Sequence, residues 1–263
     1  MAQLTDRAVA VTFDVPETLR DAYTFEPGQY LTLRAEIGGA DVRRSYSICT
    51  SAPEYVASGT VQVASARVPG GVMSNWLSDN ARIGQELEVM TPWGDFAASV
   101  FSPTGTTLRQ HPRQHVAVAA GSGITPIMSL ISTALQQEPL SRVTVFFGSR
   151  NRDSIMFLQR LNTLEQTYPD RLIVQHVLSG QPSADTRPPS HADLQVRGDL
   201  SGRIDRERMT SFLAERVPVA DIDQWFVCGP HGMVEGVREV LAGAGADPGT
   251  VHQEVFHVEN DSR

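Results

Sequence analysis

Cysteine is nearly missing: the 263 residues hold only Cys49 and Cys228. Two thiols exclude a disulfide framework and a four-thiolate iron or zinc centre. The seven histidines are scattered without zinc-type spacing. His252 and His257 fall on one expected strand, where their spacing does not converge, so no metal is expected. Long apolar runs are absent too. None approaches the roughly 18 residues of a membrane span, and the start MAQLTDRAVAV lacks a charged n-region and cleavage site. A basic excess is also missing, since 30 acidic against 22 basic side chains leave a net charge of −8. That balance argues against nucleic acid or an anionic membrane as partner. The remaining composition is that of an ordinary globular protein, read here as cytoplasmic and long enough for one large domain or two.

Two rhythms divide the chain. Half-buried strands are expected over 8–13, 29–35, 42–48, 60–66 and 86–90, separated by the turn signals EPG, IGGAD, VPGG and TPWGD. With one short helical stretch near 75–80, this pattern predicts a small antiparallel barrel. From His115 strands and helices alternate: HVAVAA into PIMSLISTALQQ, RVTVFFG into IMFLQRLNTLEQTY, then RLIVQHVL. The helical RERMTSFLAER, the strand QWFVC, the helical MVEGVREVLAGAG and the strand VHQEVF follow. Such alternation predicts a parallel, doubly wound sheet. The expected boundaries are a barrel domain over 1–101, a linker over 102–114 and an α/β domain over 115–263. Residues 180–199, rich in Ser, Pro and Asp, form a second flexible tract.

Four stretches carry chemistry. RRSYSICTS, at 43–51, puts Arg44 and Tyr46 on one face of a strand. A guanidinium beside a flat ring suits a ligand that is anionic at one point and planar at another, as a flavin dinucleotide is; a plain surface strand is the alternative. AVAAGSGITPIMSL ends a buried strand in Gly121 and Gly123, and Pro126 is expected to open a helix. Glycines and a helix N-terminus together suit a pyrophosphate. VPGGVMSNWL repeats that logic: Gly70 and Gly71 turn the chain and Ser74 can cap the next helix, with a plain capped helix after a glycine turn as the equal alternative. WFVCGPHGMVEGV sets Cys228 at the end of a late strand, the tip at which α/β sheets bind ligands. The strand RVTVFFGSR ends in Ser149 and Arg150, without the carboxylate that accepts the ribose hydroxyls of NAD.

The order Arg44-x-Tyr46-Ser47, Gly71-x-x-Ser74, Gly121-x-Gly123-x-x-Pro126, Cys228-Gly229-Pro230 and Glu254-x-Phe256 resembles the ferredoxin–NADP reductase superfamily. Within it, EPGQYLTLR, SGRID and VHQEVFHVE are most similar to the reductase components of oxygenases, those of phenylacetyl-CoA epoxidase type included. The resemblance implies a six-stranded FAD barrel followed by a five-stranded parallel NADP-binding sheet. It implies FAD contacts from Arg44, Ser45, Tyr46, Ser47, Gly71, Val72, Met73, Ser74, Thr125 and Phe256. NADP contacts would come from Gly121, Gly123, Ile124, Thr125, Pro126, Arg150, Arg203, Cys228, Gly229 and Pro230. Ser47, Cys228, Glu254 and Phe256 would line the cleft where nicotinamide meets flavin. The implied activity is hydride transfer from NADPH to FAD, then single electrons to an iron–sulfur protein or oxygenase component. The reductase of another electron chain, flavohaemoprotein-like or serving a steroid hydroxylase, is an alternative. A nucleotide-binding regulatory module without turnover is another.

Departures from the family pattern are part of the expectation. Relatives have a further strand before the segment that begins at Leu4. A lysine common before the glycine turn is Ala66 here, with Arg67 as a substitute, and a third phosphate-binding arginine is Gly180. Oxygenase reductases continue into a plant-type ferredoxin domain with four cysteines, and no such cluster occurs before Arg263.

Overall fold

A computed structural model describes residues 1–97, 100–101, 111–180 and 200–256. Most of the expected linker, the flexible tract and His257 lie outside the described residues. One unit takes the described residues of Met1–Gln110 with Thr125–Pro139; the other takes His111–Ile124 with Leu140–Phe256.

The first unit contains β1 (Ala2–Thr5), β2 (Ala8–Asp14), β3 (Tyr30–Ile37), β4 (Ala40–Ser47), α1 (Ala52–Ser58), β5 (Thr60–Ala66), α2 (Val72–Asp79) and β6 (Glu88–Val89). Its strands form two antiparallel three-stranded sheets, β1-β2-β5 and β4-β3-β6, with a single bridge from Ile48 to Val63. The expected six-stranded barrel is corrected accordingly, because β6 pairs with β3 over only two residues, Leu33–Val89 and Arg34–Glu88. Ala2–Thr5, not among the expected strands, pairs antiparallel with β2 as β1. Alternation buries Leu31, Leu33, Val61 and Val63 between the sheets, where Met73 and Leu77 of α2 pack on them. Helix α1 is not among the expected elements, which in this unit include one helical stretch, near 75–80. Its signal is SAPE: the Ser51 hydroxyl accepts the Glu54 N–H at 3.2 Å, and Pro53 sits in the first turn.

The first unit also includes α3 (Ile124–Gln137). Residues four apart share a helical stripe, and the polar stripe of α3 grips the chain just after β4. Ser129 Oγ donates to the Thr50 carbonyl at 2.6 Å, Thr133 Oγ1 accepts the Ala52 N–H at 3.1 Å, and Ser51 Oγ donates to Gln136 Oε1 at 2.9 Å.

The second unit contains β7 (Gln114–Ala120), β8 (Arg142–Ser149), α4 (Leu158–Thr167), β9 (Leu172–Leu178), β10 (Leu200–Ser201), α5 (Arg206–Arg216), β11 (Gln224–Gly229), α6 (His231–Gly243) and β12 (Val251–Val255). All pairings are parallel, in the order β10-β9-β8-β7-β11-β12. The sheet therefore has six strands, not five; β10 is two residues long and carries no readable period. Strand order reverses at β7, which opens a crevice at the carboxyl ends of β7 and β11. One face of the sheet packs Val116, Val118, Phe146 and Trp225 against Met209 and Phe212 of α5 and Val234 and Val237 of α6. The Phe146 and Phe212 rings stack at 4.2 Å and 14°. No helix among the described residues is long and apolar enough to cross a membrane.

Phe146 is fully buried in that stack, so Phe146→Ala is expected to destabilise the second unit by about 3–5 kcal/mol. Native-state hydrogen exchange reads this as a loss of protection across β7, β8 and β11. Unchanged protection there contradicts the packing described.

Candidate functional site

The crevice begins where β7 ends. Gly121–Gly123 forms a single 3-10 turn, and α3 starts at Ile124, two residues ahead of the expected Pro126. Pro126 lies in the first turn, where a backbone N–H has no helical acceptor. Gly121 has φ 55° and open space where a Cβ would stand, so its backbone is bare on the crevice side. Gly123 differs. A Cβ there would lie 2.2 Å from the Cys228 carbonyl oxygen and 2.6 Å from its carbon, so glycine is required by packing against β11. Ile124, Thr125 and Pro126 are buried and offer a ligand only their backbone.

Across that contact, Cys228 on β11 is in register with Glu254 on β12. The thiol donates to Glu254 Oε2 at 3.9 Å. Burial pushes the Cys228 thiol well above its ordinary range, and the Glu254 charge and the hydrogen bond to it raise it further. Gly229 follows; a Cβ there would meet Met233 Cε at 2.7 Å and the Ala120 nitrogen at 3.2 Å. Pro230 is the N-cap of α6 and makes no side-chain cap, which leaves the first amides of the helix to another acceptor. Phe256 is half-buried, its N–H donating to the Gly229 carbonyl at 2.9 Å.

Beside these residues is a cavity of about 1000 Å³ whose lining includes Gly121, Ser149, Arg150, Arg203 and Pro230. Arg150 and Arg203 are exposed, and neither has a carboxylate within ion-pair distance among the described residues. Ser149 is 7% exposed and its hydroxyl has no hydrogen-bond partner among the described residues. The position expected to hold a third arginine is closed to any side chain: a Cβ on Gly180 would lie 2.7 Å from the Arg150 carbonyl oxygen.

In the first unit, Arg44 and Tyr46 share a face of β4. Arg34 pairs with Asp41 and Glu88, Arg43 with Asp41, and Arg67 with Asp79. Arg67, the expected substitute for the lysine missing at Ala66, is the residue paired with Asp79. Arg44 donates to the Arg43 carbonyl at 2.8 Å and has no carboxylate partner among the described residues. Burial raises the Tyr46 phenol above its ordinary range, while the Ser65 hydroxyl and the Arg44 charge draw it partly back. The Ser65 hydroxyl, itself buried, makes no hydrogen bond of normal geometry. Ser45 turns to the opposite face, where its hydroxyl meets Thr32 Oγ1 at 3.0 Å. Ser47 is buried at the end of the strand, and its carbonyl accepts the Cys49 thiol at 3.6 Å.

Gly71, not Ser74, is the N-cap of α2. Ser74 lies inside the first turn, and its hydroxyl accepts the Val68 N–H at 3.3 Å. That bond tightens the preceding glycine turn and leaves the helix amides uncapped by any side chain. Val72 is exposed and Met73 is buried.

A family model described as an oxidoreductase FAD-binding domain matches residues 3–97, and one described as an oxidoreductase NAD-binding domain matches residues 117–239. The chain carries the FAD-binding and the NAD-binding domain of an oxidoreductase, in that order. It is 38% identical to one subunit of the 1,2-phenylacetyl-CoA epoxidase of Escherichia coli K12, over 96% of this chain and 65% of that protein. It is 34% identical to the ferredoxin reductase component of 3-ketosteroid-9-alpha-monooxygenase of Mycobacterium tuberculosis, over 96% of this chain and 62% of that protein. The chain therefore spans somewhat under two thirds of the length of these relatives. A ferredoxin NADP+ reductase from Neisseria gonorrhoeae shares the fold at a TM-score of 0.70 and 18% identity, covering 97% of this chain and 94% of that one.

Both donor sets fit the cofactors of such an oxidoreductase. The first unit offers a guanidinium without a carboxylate partner among the described residues, a planar ring and the amides of α2 that no side chain caps. The second offers a bare glycine backbone, the start of α6 and, around one cavity, two arginines without a carboxylate partner among the described residues. Ser149 and the stripe on α3 escape sequence reasoning, because isolated serines and threonines carry no motif.

Cys228 titration checks the site electrostatics. Its raised thiol keeps the folded state protonated, so this contribution to stability is full below about pH 8.5, the ordinary thiol range. It is lost as pH climbs toward the raised folded value. Glu254→Gln removes a charge that opposes ionisation, so alkylation of Cys228 by iodoacetamide is expected to quicken, as read by peptide mapping against Cys49. An equal or slower rate contradicts the coupling.

Proposed function

We propose that this oxidoreductase takes hydride from NADPH onto FAD and passes electrons singly to an iron–sulfur protein or oxygenase component, in cytoplasmic degradation of aromatic compounds of the phenylacetyl-CoA type. The observation that carries the proposal is the buried Cys228 thiol in register with Glu254, at the point where the parallel sheet reverses its strand order. When bound, FAD supplies the two-electron to one-electron conversion that such a reductase needs. The chain supplies binding, orientation and electrostatics. We assign residues 1–101 to FAD and 115–263 to the nucleotide.

On the flavin side, Arg44 and the amides of Gly71, Val72, Met73 and Ser74 would hold the diphosphate. Tyr46 would present a flat surface to the ring system, Ser45 and Thr125 would contribute backbone, and Ser47 would stand at the reacting edge. On the nucleotide side, Gly121, Gly123, Ile124, Thr125 and Pro126 would shape the pyrophosphate loop, with Gly229 and Pro230 opposite. Arg150 and Arg203 would take the 2′-phosphate, as guanidinium groups suit phosphate oxygens. Glu254 would stabilise the positive charge that grows on nicotinamide as hydride leaves. Cys228 stays neutral and donates to Glu254. Phe256 would act as a planar cover that moves to admit nicotinamide.

The purified protein is expected to be yellow and to bleach on adding NADPH without air. A colourless protein, or a yellow one that NADPH leaves unbleached, overturns the proposal. Arg44→Ala is expected to weaken FAD binding about tenfold or more, since it removes a charge-assisted contact. Full FAD retention through gel filtration would refute that assignment. With Phe256→Ala, a movable cover predicts tighter NADP+ binding and a lower KM for NADPH. Lost stability with unchanged nucleotide affinity would instead make Phe256 a packing residue.

A further inference from the structure

The cavity that holds Arg150 and Arg203 is also lined by Arg206, Asp205, Glu207 and Glu235. Most of these further charges are already engaged. Asp205 caps α5 by accepting the Arg208 N–H at 2.9 Å, Glu235 pairs with Arg238 at 3.1 Å, and Arg206 pairs with Glu239. Glu207 is exposed in the first turn of α5, with no cation in ion-pair reach among the described residues. Among the described residues the cavity is therefore left with two guanidinium groups without a carboxylate, and with two carboxylates without a cation: Asp205, held in place as the cap of α5, and Glu207, which is not held. The buried Ser149 hydroxyl, also without a partner, adds a polar group to the same lining.

We propose that Glu207 is a specificity-determining residue of this cavity: its carboxylate opposes the charge of a 2′-phosphate drawn in by Arg150 and Arg203, and so limits discrimination against nucleotides lacking that phosphate. The inference rests on the reading that this cavity takes the adenosine end of NADP. A phosphate monoester carries close to two negative charges at neutral pH. An adenosine ribose without the 2′-phosphate presents none at that position, so an unpaired carboxylate disfavours only the phosphorylated nucleotide. Arg203 and Glu207 flank the N-terminus of α5, four residues apart, and their charges act on the same group with opposite sign. A first-turn glutamate also stabilises its own helix through the dipole. That structural role would not alter a ratio of nucleotide affinities.

The test is calorimetric titration of the full-length, flavin-loaded protein with 2′-phospho-AMP and with AMP. Glu207→Gln is expected to tighten 2′-phospho-AMP by about three- to tenfold, the scale of one charge acting on a dianion several ångströms away in a wet cavity. AMP affinity should move less than about twofold, and the gain should shrink in about 0.5 M salt, where screening is strong. An unchanged affinity ratio overturns the proposal, whether or not the melting temperature falls. Arg203→Ala in the same titration tests the reading beneath it. If Arg203→Ala weakens 2′-phospho-AMP while Glu207→Gln leaves the ratio alone, only the proposal fails. If Arg203→Ala has no effect on 2′-phospho-AMP, the assignment of the cavity fails and the proposal with it.

Discussion

Gly123 and the Cys228 carbonyl stand so close that no side chain fits between them. The rest of the nucleotide half follows from that contact. The contact locks the turn after β7 onto the end of β11, so the bare backbone at Gly121, the thiol of Cys228 and the start of α6 form one rigid corner. Register does the remainder: pairing Cys228 with Glu254 brings a carboxylate to the thiol, and the same ladder carries Phe256 to the Gly229 carbonyl. The positions of these groups depend on backbone, which single side-chain changes on the surface do not disturb.

Selective neutralisation organises the first unit. Arg34, Arg43 and Arg67 are each tied to a carboxylate, and Arg44 is not. Of the two arginines on β4, an anion therefore meets one without a carboxylate partner among the described residues, Arg44, on the face that Tyr46 shares. The chain beyond β4 is pinned by Ser129, Thr133 and Gln136 of α3 rather than by apolar packing alone. Buried hydrogen bonds of this kind cost little when satisfied and a good deal when broken. They hold the end of β4 in one position.

Much of this is legible in the residues. Alternation of strand and helix after His115 predicts the parallel sheet, and the ordered motifs from Arg44 to Phe256 identify the family. The structure brings Gly121, Gly123, Cys228 and Glu254 to one corner. Where the residues alone fall short, physical causes can be named. Strand β10 is too short to show a period, and β6 is trimmed because it pairs over two residues only. Helix α1 is too short to show a helical period, although SAPE and Gly59 mark both its ends. The pattern around Gly123 suggests clearance for a phosphate, whereas its clearance is for a carbonyl of its own chain. The position of Ser74 suggests a cap, but its hydroxyl turns back to Val68. In each case the residue type is informative, and the neighbour that determines its role lies elsewhere in the chain.

Glu254, held by Cys228, is the group assigned to act on the reacting nicotinamide. Rapid-mixing measurement of flavin reduction by NADPH in the Glu254→Gln protein tests that assignment most directly. Slower reduction is predicted, by about tenfold or more for loss of one electrostatic stabiliser, with FAD retained and NADP+ affinity nearly unchanged. Reduction at the unaltered rate would contradict it and return Glu254 to the status of a strand carboxylate.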